Sequence, residues 1–276
     1  MLRLLERKIA SLDRDLVLVA PPAASTTMFT NIAKDSERRV DIIRQTQRLR
    51  GAVYLHEGNV DSARLSSDGR YETPEDERSW HLLMLDAQGD VSSCIWYLEH
   101  ERPASIDQLR LRHSPLAWLD GWYTPLKKSI ELEIRRARAA RLRYAEVGGW
   151  VVAKPRRRSC DGLVLALAAY GLCRLLGGAL GVTTANVTHS SSSILRRLGG
   201  SCLAHRGVVF PPYFDPNYNA RVELLRFDSR RPNGKYLGVI KAITHKLMDV
   251  PVIAPNLEAP VDEPYAFHAA QPQLAL

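Results

Sequence analysis

Apolar residues recur along this chain with two spacings, and the switches between them lay out its elements. Helical spacing marks Met1 to Asp13, with apolar residues at 1, 2, 4, 5 and 9. It marks Ser36 to Tyr54 in the same way, with Ser36 as the expected cap and Glu37 in the first turn. Pro125 to Arg143 has proline at its start and apolar residues at 126, 130, 134 and 137. Leu163 to Leu176 is apolar on all sides and predicts a buried helix; Ser190 to Leu198 and Tyr236 to Met248 complete the set. Strand patterns cover Leu16–Ala20, Ile106–Arg112, Tyr144–Val152, Gly181–Val187, Ser201–Phe210 and Arg221–Phe227. Trp80–Leu85 and Val91–Leu98 flank a link containing Gly89, which predicts a hairpin. Residues 57–78 are polar and read as an active-site loop or a mobile segment. The expected organisation is an N-terminal extension (1–35), a main domain (36–253) and a mobile Pro/Ala-rich tail (254–276).

Tyr144 to Gly162 concentrates the candidate chemistry. The stretch reads YAEVGGWVVAKPRRRSCDG: a strand with one carboxylate, a Gly-Gly pair, then a basic turn opening the apolar helix. Glu146 is the candidate general base, because a carboxylate within reach of a reacting group can take its proton. Its plainer alternative is an ion pair with one of the many arginines. Gly148 and Gly149 predict a bulge, where missing Cβ atoms permit distorted backbone. With Trp150 they would offer main-chain N–H groups to a developing oxyanion, unless the bulge serves only sheet curvature. Arg156, Arg157, Arg158, Ser159, Cys160, Asp161 and Gly162 form the turn. A run of arginines is usually a solvated face; at a helix N-terminus it suits a phosphate, where free N–H groups and the helix dipole add to the charge. Cys160 has no base beside it in sequence, so a nucleophilic role is not expected. His189 or Ser191 could protonate a leaving group, although the serines there fit a helix cap better. His56, His81 and His100 read as structural, and Trp96, Tyr97, Trp118 and Trp122 as core or acyl-channel residues.

These residues carry a resemblance to the GCN5-related N-acetyltransferase superfamily. Its donor signature, Q/R-x-x-G-x-G/A entered from V-x-P-x-x-R, is matched by Val152, Arg157 and Gly162; Cys160 stands where the first Gly is usual and Lys154 where Pro is common. Within the superfamily, AEVGGWVV and QRLRGAVY (Gln47–Tyr54) are similar to segments of acyl-homoserine lactone synthases and long-chain N-acyl amino acid synthases. The resemblance implies an α/β fold with a mixed, mostly antiparallel sheet, helices on both faces and a bulged, splayed central strand. It implies transfer of a medium or long acyl group from acyl carrier protein or CoA to the amine of a small acceptor such as an amino acid, through a ternary complex. Glu146 would then be base, Gly148, Gly149 and Trp150 would polarise the carbonyl, and Val152 with Arg156–Gly162 would hold the pantetheine arm. No permanent cofactor follows. A short-chain acetyl-CoA-dependent enzyme and a non-catalytic carrier-binding module are the other readings that this fold allows.

Charge adds a question about partners. The chain has 276 residues and a formal net charge of +8. An acidic carrier protein, nucleic acid or anionic membrane lipid would each answer it. No nucleic-acid motif or stacking platform accompanies the charge, so nucleic acid is not expected. The carrier fits best, docking at the basic turn or at Arg135–Arg143; peripheral membrane contact stays open. The four cysteines show no C-x-x-C spacing, and no His/Asp/Glu set is spaced for a metal. The longest apolar run is broken by Arg174 and glycines, and the N-terminus lacks a signal-peptide core, so a cytoplasmic protein without a transmembrane segment is expected.

Overall fold

The computed structural model describes residues 2–101, 103–189 and 191–256; of the expected tail, residues 257–276 lie outside these. Two short helices, α1 (Leu2–Ala10) and α2 (Leu12–Asp15), precede strands β1 (Leu16–Val19) and β2 (Ile32–Lys34). Helix α3 (Ser36–His56) leads to the hairpin of β3 (Trp80–Leu85) and β4 (Val91–Glu99). Then come α4 (Tyr123–Ala139), β5 (Arg143–Val152), α5 (Asp161–Leu175), β6 (Ala179–Asn186) and α6 (Ser191–Leu198). Short strands β7 (Ser201–Cys202), β8 (Ala204–His205), β9 (Val208–Val209) and β10 (Tyr213–Asp215) lead to β11 (Ala220–Asp228), α7 (Leu237–Leu247) and β12 (Val252–Ala254).

The main sheet runs β10-β11-β6-β5-β4-β3-β1-β12-β2, with β7 added beside β11. Only β5–β6, β1–β12 and β12–β2 pair in parallel. Side chains alternate across it as pleating requires. Leu82, Met84 and Tyr97 face α1, α5 and α7, whereas Leu83 and Cys94 face α3. Helix α5 is apolar all round because it is covered all round, by the sheet on one side and α7 on the other. A Cβ on Gly171 would lie 3.2 Å from Leu247, so the missing side chain sets how closely α7 approaches. A third cluster under α4 joins Leu126 and Ile130 to Tyr144, Leu180 and Val182.

Five expectations change. Residues 1–35 are not an appendage: β1 sits inside the sheet between β3 and β12, and Leu5, Leu12, Leu16 and Leu18 are fully buried. Ala254, placed in the expected tail, instead ends a strand of that sheet, β12. Helix α3 is capped by Asp35, whose carboxylate accepts from Arg38 N at 2.9 Å; Ser36 instead accepts from Asn256 N at 2.8 Å. Residues 106–117 form three 3₁₀ turns, not a strand. There the buried Ile106, Leu109 and Leu111 face one way at turn spacing, and Pro115 starts the last turn. Ser201–Phe210 is likewise no single strand, since Arg206 and Gly207 both take positive φ and turn β8 back as β9.

Candidate active site

Strands β5 and β6 pair only from Arg143↔Ala179 to Glu146↔Val182. Beyond that point β5 continues along β4 to Val152, while β6 continues along β11 to Asn186. The two separate, and a cleft of about 1070 Å³ opens between them. Glu146 stands where they part. The edge of β5 from Val147 to Val152 faces this opening with no partner strand among the described residues.

The expected bulge is present, and a side chain explains it. The β4–β5 register slips between Cys94 and Trp96, opposite Gly148 and Gly149. The Trp96 indole lies across both glycines: a Cβ on Gly148 would come 2.3 Å from the ring and one on Gly149 2.4 Å from it. Gly149 also has φ of +59°. No other residue type fits under that ring in that conformation. Gly148, Gly149 and Trp150 all line the cleft.

Glu146 is buried and held from three sides. Its Oε2 accepts from Arg110 N at 2.8 Å and from His100 Nε2 at 3.0 Å, and its Oε1 accepts from Leu111 N at 3.2 Å. The carboxylate therefore pins the 3₁₀ segment to the sheet, which is why residues near 110 turn instead of extending. A carboxylate offers about four acceptor sites, so one remains on Oε1, and Glu146 lines the cleft. None of the arginine side chains pairs with Glu146 among the described residues; its one ion-pair partner is His100.

Arg110 adds a group that sequence reading missed. Its guanidinium lies over the rings of Trp96 (5.9 Å) and Tyr218 (5.6 Å), donates to the Tyr218 hydroxyl and approaches Glu75 at 3.4 Å. Burial opposes its charge, but Tyr218 and Glu75 more than offset that and keep it protonated. Tyr54 and Tyr71 complete the wall, with Tyr54 edge-on to both Tyr71 and Tyr218. Burial pushes the Tyr54 and Tyr218 phenols above their ordinary range, so they stay neutral. Loop 57–78 reaches the cleft through Arg64, Tyr71 and Glu72–Glu75. It is fastened by buried Asp76, which accepts from Arg50 at 2.6 Å, Gln47 at 3.1 Å and Thr73 N at 2.9 Å. Burial alone would raise the Asp76 pKa; Arg50 outweighs it and lowers it.

The basic turn divides. Val152, Arg156, Arg157, Ser159 and Gly162 line the cleft; Arg158, Cys160 and Asp161 do not. Arg156 is occupied by buried Asp161 at 2.7 Å, and Arg157 reaches to Glu57 at 2.5 Å. Ser159 Oγ accepts from Asp161 N at 3.1 Å. Gly162 lets the first turn of α5 sit against β5, where a Cβ would be 3.0 Å from Val152. On the opposite wall, Asn186 Oδ1 accepts from Thr188 N (2.7 Å) and His189 N (3.1 Å), and Ser191 Oγ donates to Asn186 O (2.9 Å). His189 and Ser191 both line the cleft. Burial pushes the Cys94 thiol up to about 12 and raises that of Cys173 as well, so neither is a thiolate nucleophile at neutral pH.

No family model matches this chain, and no curated protein does. Solved structures do. A CoA-dependent acyl-homoserine lactone synthase, BjaI, determined with SAM and isopentyl-CoA, aligns over 88% of this chain and 95% of its own at 17% identity, with a TM-score of 0.53. FeeM, an N-acyl amino acid synthase from uncultured soil microbes, aligns over 71% of this chain and 88% of its own at 12% identity and a TM-score of 0.43. The fold is a mixed, mostly antiparallel sheet flanked by helices, as the resemblance implied. More narrowly, it takes the form seen in that acyl-homoserine lactone synthase. No helix among the described residues is long and apolar enough to cross a membrane.

Proposed function

We propose that the protein is an N-acyltransferase that moves an acyl group from a phosphopantetheine thioester, on carrier protein or CoA, to the amine of a free amino acid. One observation carries the reading: a buried carboxylate and a basic helix-opening turn flank the same strand-splay cleft. The fold likeness to a CoA-dependent synthase supports it.

The chain's own groups divide the work. The free acceptor site on Glu146 Oε1 takes a proton from the incoming ammonium. The amine then attacks the thioester carbonyl, forming a C–N bond, while main-chain N–H groups along Gly148–Trp150 stabilise the oxyanion. Collapse breaks the C–S bond, and the second amine proton leaves with the sulfur as free thiol. Arg157 exchanges Glu57 for a donor phosphate, beside Ser159 and the N–H groups around Gly162. Arg110 and Glu75, side by side on the far wall, match the carboxylate and ammonium of an amino acid.

Acyl length has a second reading in its favour. An apolar slot of about 30 Å³ shares Ile95, Val147, Thr183 and Leu195 with the main cleft. It ends at Tyr170 and Phe227, whose rings meet at 6.2 Å. So small a slot favours a short acyl group over the long one implied by the resemblance.

Purified protein incubated with a free amino acid and acetyl, butyryl or long-chain thioesters of CoA and carrier protein should release free thiol, and mass spectrometry should find the matching N-acyl amino acid. Tight carrier binding without thiol release from any donor would instead identify a non-catalytic module.

A further inference from the structure

Large apolar side chains on a soluble surface are ordinary when single and informative when grouped. Trp118 is 77% exposed, Leu119 47% and Tyr123 45%, all in the turn that opens α4. The turn is well ordered by its own bonds: Trp118 N and Leu119 N donate to Pro115 O at 2.9 and 3.0 Å, and Trp122 N to Leu119 O at 3.0 Å. Gly121 takes φ of +78°, and Trp122 packs inward on Phe210 at 5.4 Å. Trp118 and Leu119 are thus presented outward by a fixed backbone while their neighbour anchors the turn.

The helix behind this turn is cationic. Its ion pairs run through Glu133, to Arg136 at 2.6 Å and Arg226 at 2.7 Å. Among the described residues, Lys127, Lys128, Arg135 and Arg138 have no carboxylate ion-pair partner. Leu132 is 41% exposed among them. The acids on this surface are Asp120, exposed in the turn, and half-buried Glu131. An aromatic tip beside unpaired lysines and arginines is the chemistry that an anionic bilayer surface selects: amphipathic rings at headgroup level and cations against phosphates. A second copy of the chain fits poorly, since a two-fold contact would press one basic helix against another.

We propose that the Trp118–Tyr123 turn and the basic face of α4 dock the protein on an anionic lipid bilayer. Ser114, just ahead of the turn, is buried and lines the cleft, so docking brings the cleft near the lipid. The proposal does not depend on the acyl-transfer reading, because it is tested by binding alone.

The test is co-sedimentation of the full chain with vesicles of phosphatidylcholine alone and of phosphatidylcholine mixed with phosphatidylglycerol. Binding is expected on the mixed vesicles and should weaken as salt rises. One cation near such a surface is worth about fivefold in partitioning, so Lys127→Glu/Lys128→Glu should lose about 20-fold or more. Trp118→Ala/Leu119→Ala should weaken binding to mixed vesicles without changing thermal stability. The proposal is overturned if wild type fails to bind, binds both vesicle types equally, or loses nothing in either double variant. It is also overturned if wild type forms a vesicle-free dimer that Trp118→Ala/Leu119→Ala dissociates, since the patch would then be a protein interface.

Discussion

Replacing Glu146 by Gln separates its two roles, because the amide keeps one oxygen. With that oxygen at the Oε2 position, it still accepts from Arg110 N and His100 Nε2. The amide nitrogen then faces Leu111 N, which loses its acceptor 3.2 Å away. An unsatisfied buried N–H costs about 1–3 kcal/mol. For a chain of this size each kcal/mol lowers Tm by about 2–4 °C, so a fall of about 2–12 °C is expected. Glu146→Ala strands all three donors and should cost more than the Gln variant. Turnover should fall much further than stability: a missing general base removes about 10²–10⁴ in rate. Differential scanning calorimetry and thiol release, measured on one preparation below its melting range, read the two effects separately. Wild-type turnover in a folded Glu146→Gln protein would refute the base assignment. Wild-type Tm with lost turnover would refute the anchoring one.

Two further outcomes follow from the same structure. His81 is buried with Nε2 donating to Asp76 O at 2.7 Å, and burial lowers its pKa below 6.5. The stability it contributes is present above pH 6.5 and is lost as pH falls from there through the lowered folded value, so His81→Gln should flatten the pH dependence of urea stability below about pH 6.5. Glu57 holds Arg157 away from a donor, so Glu57→Gln should lower the donor KM and Arg157→Ala should raise it, each several-fold, in steady-state assays across thioester concentration. Unchanged KM in both variants would remove Arg157 from donor binding.

Periodicity exposed the long elements and the strand-bulge-turn-helix unit, because each is written in consecutive residues. The Gly-Gly pair was legible as a bulge, but its cause was not: Trp96 lies on the neighbouring strand, and only register brings it over the glycines. The 3₁₀ segment looked like a strand because Leu109 and Leu111 alternate with Arg110 and Arg112; a carboxylate from β5 decides its backbone. Strands β2, β10 and β12 have 3 residues each, too few for any period to register. Arg157 and Glu57 pair across |i−j| = 100, so the neutralised state of the basic turn was invisible in sequence. Arg110 had no local signature at all, being one arginine among many until the aromatic rings enclose it.

The two halves of the sheet share only four backbone positions, Arg143 to Glu146 on β5. Everything past that short seam keeps its alignment from β4 on one side and β11 on the other. A residue added or lost in the far half of either strand therefore reshapes the space between the leaves while each leaf keeps its own neighbour. Variation can re-cut this gap for another acceptor without re-laying the fabric on either side.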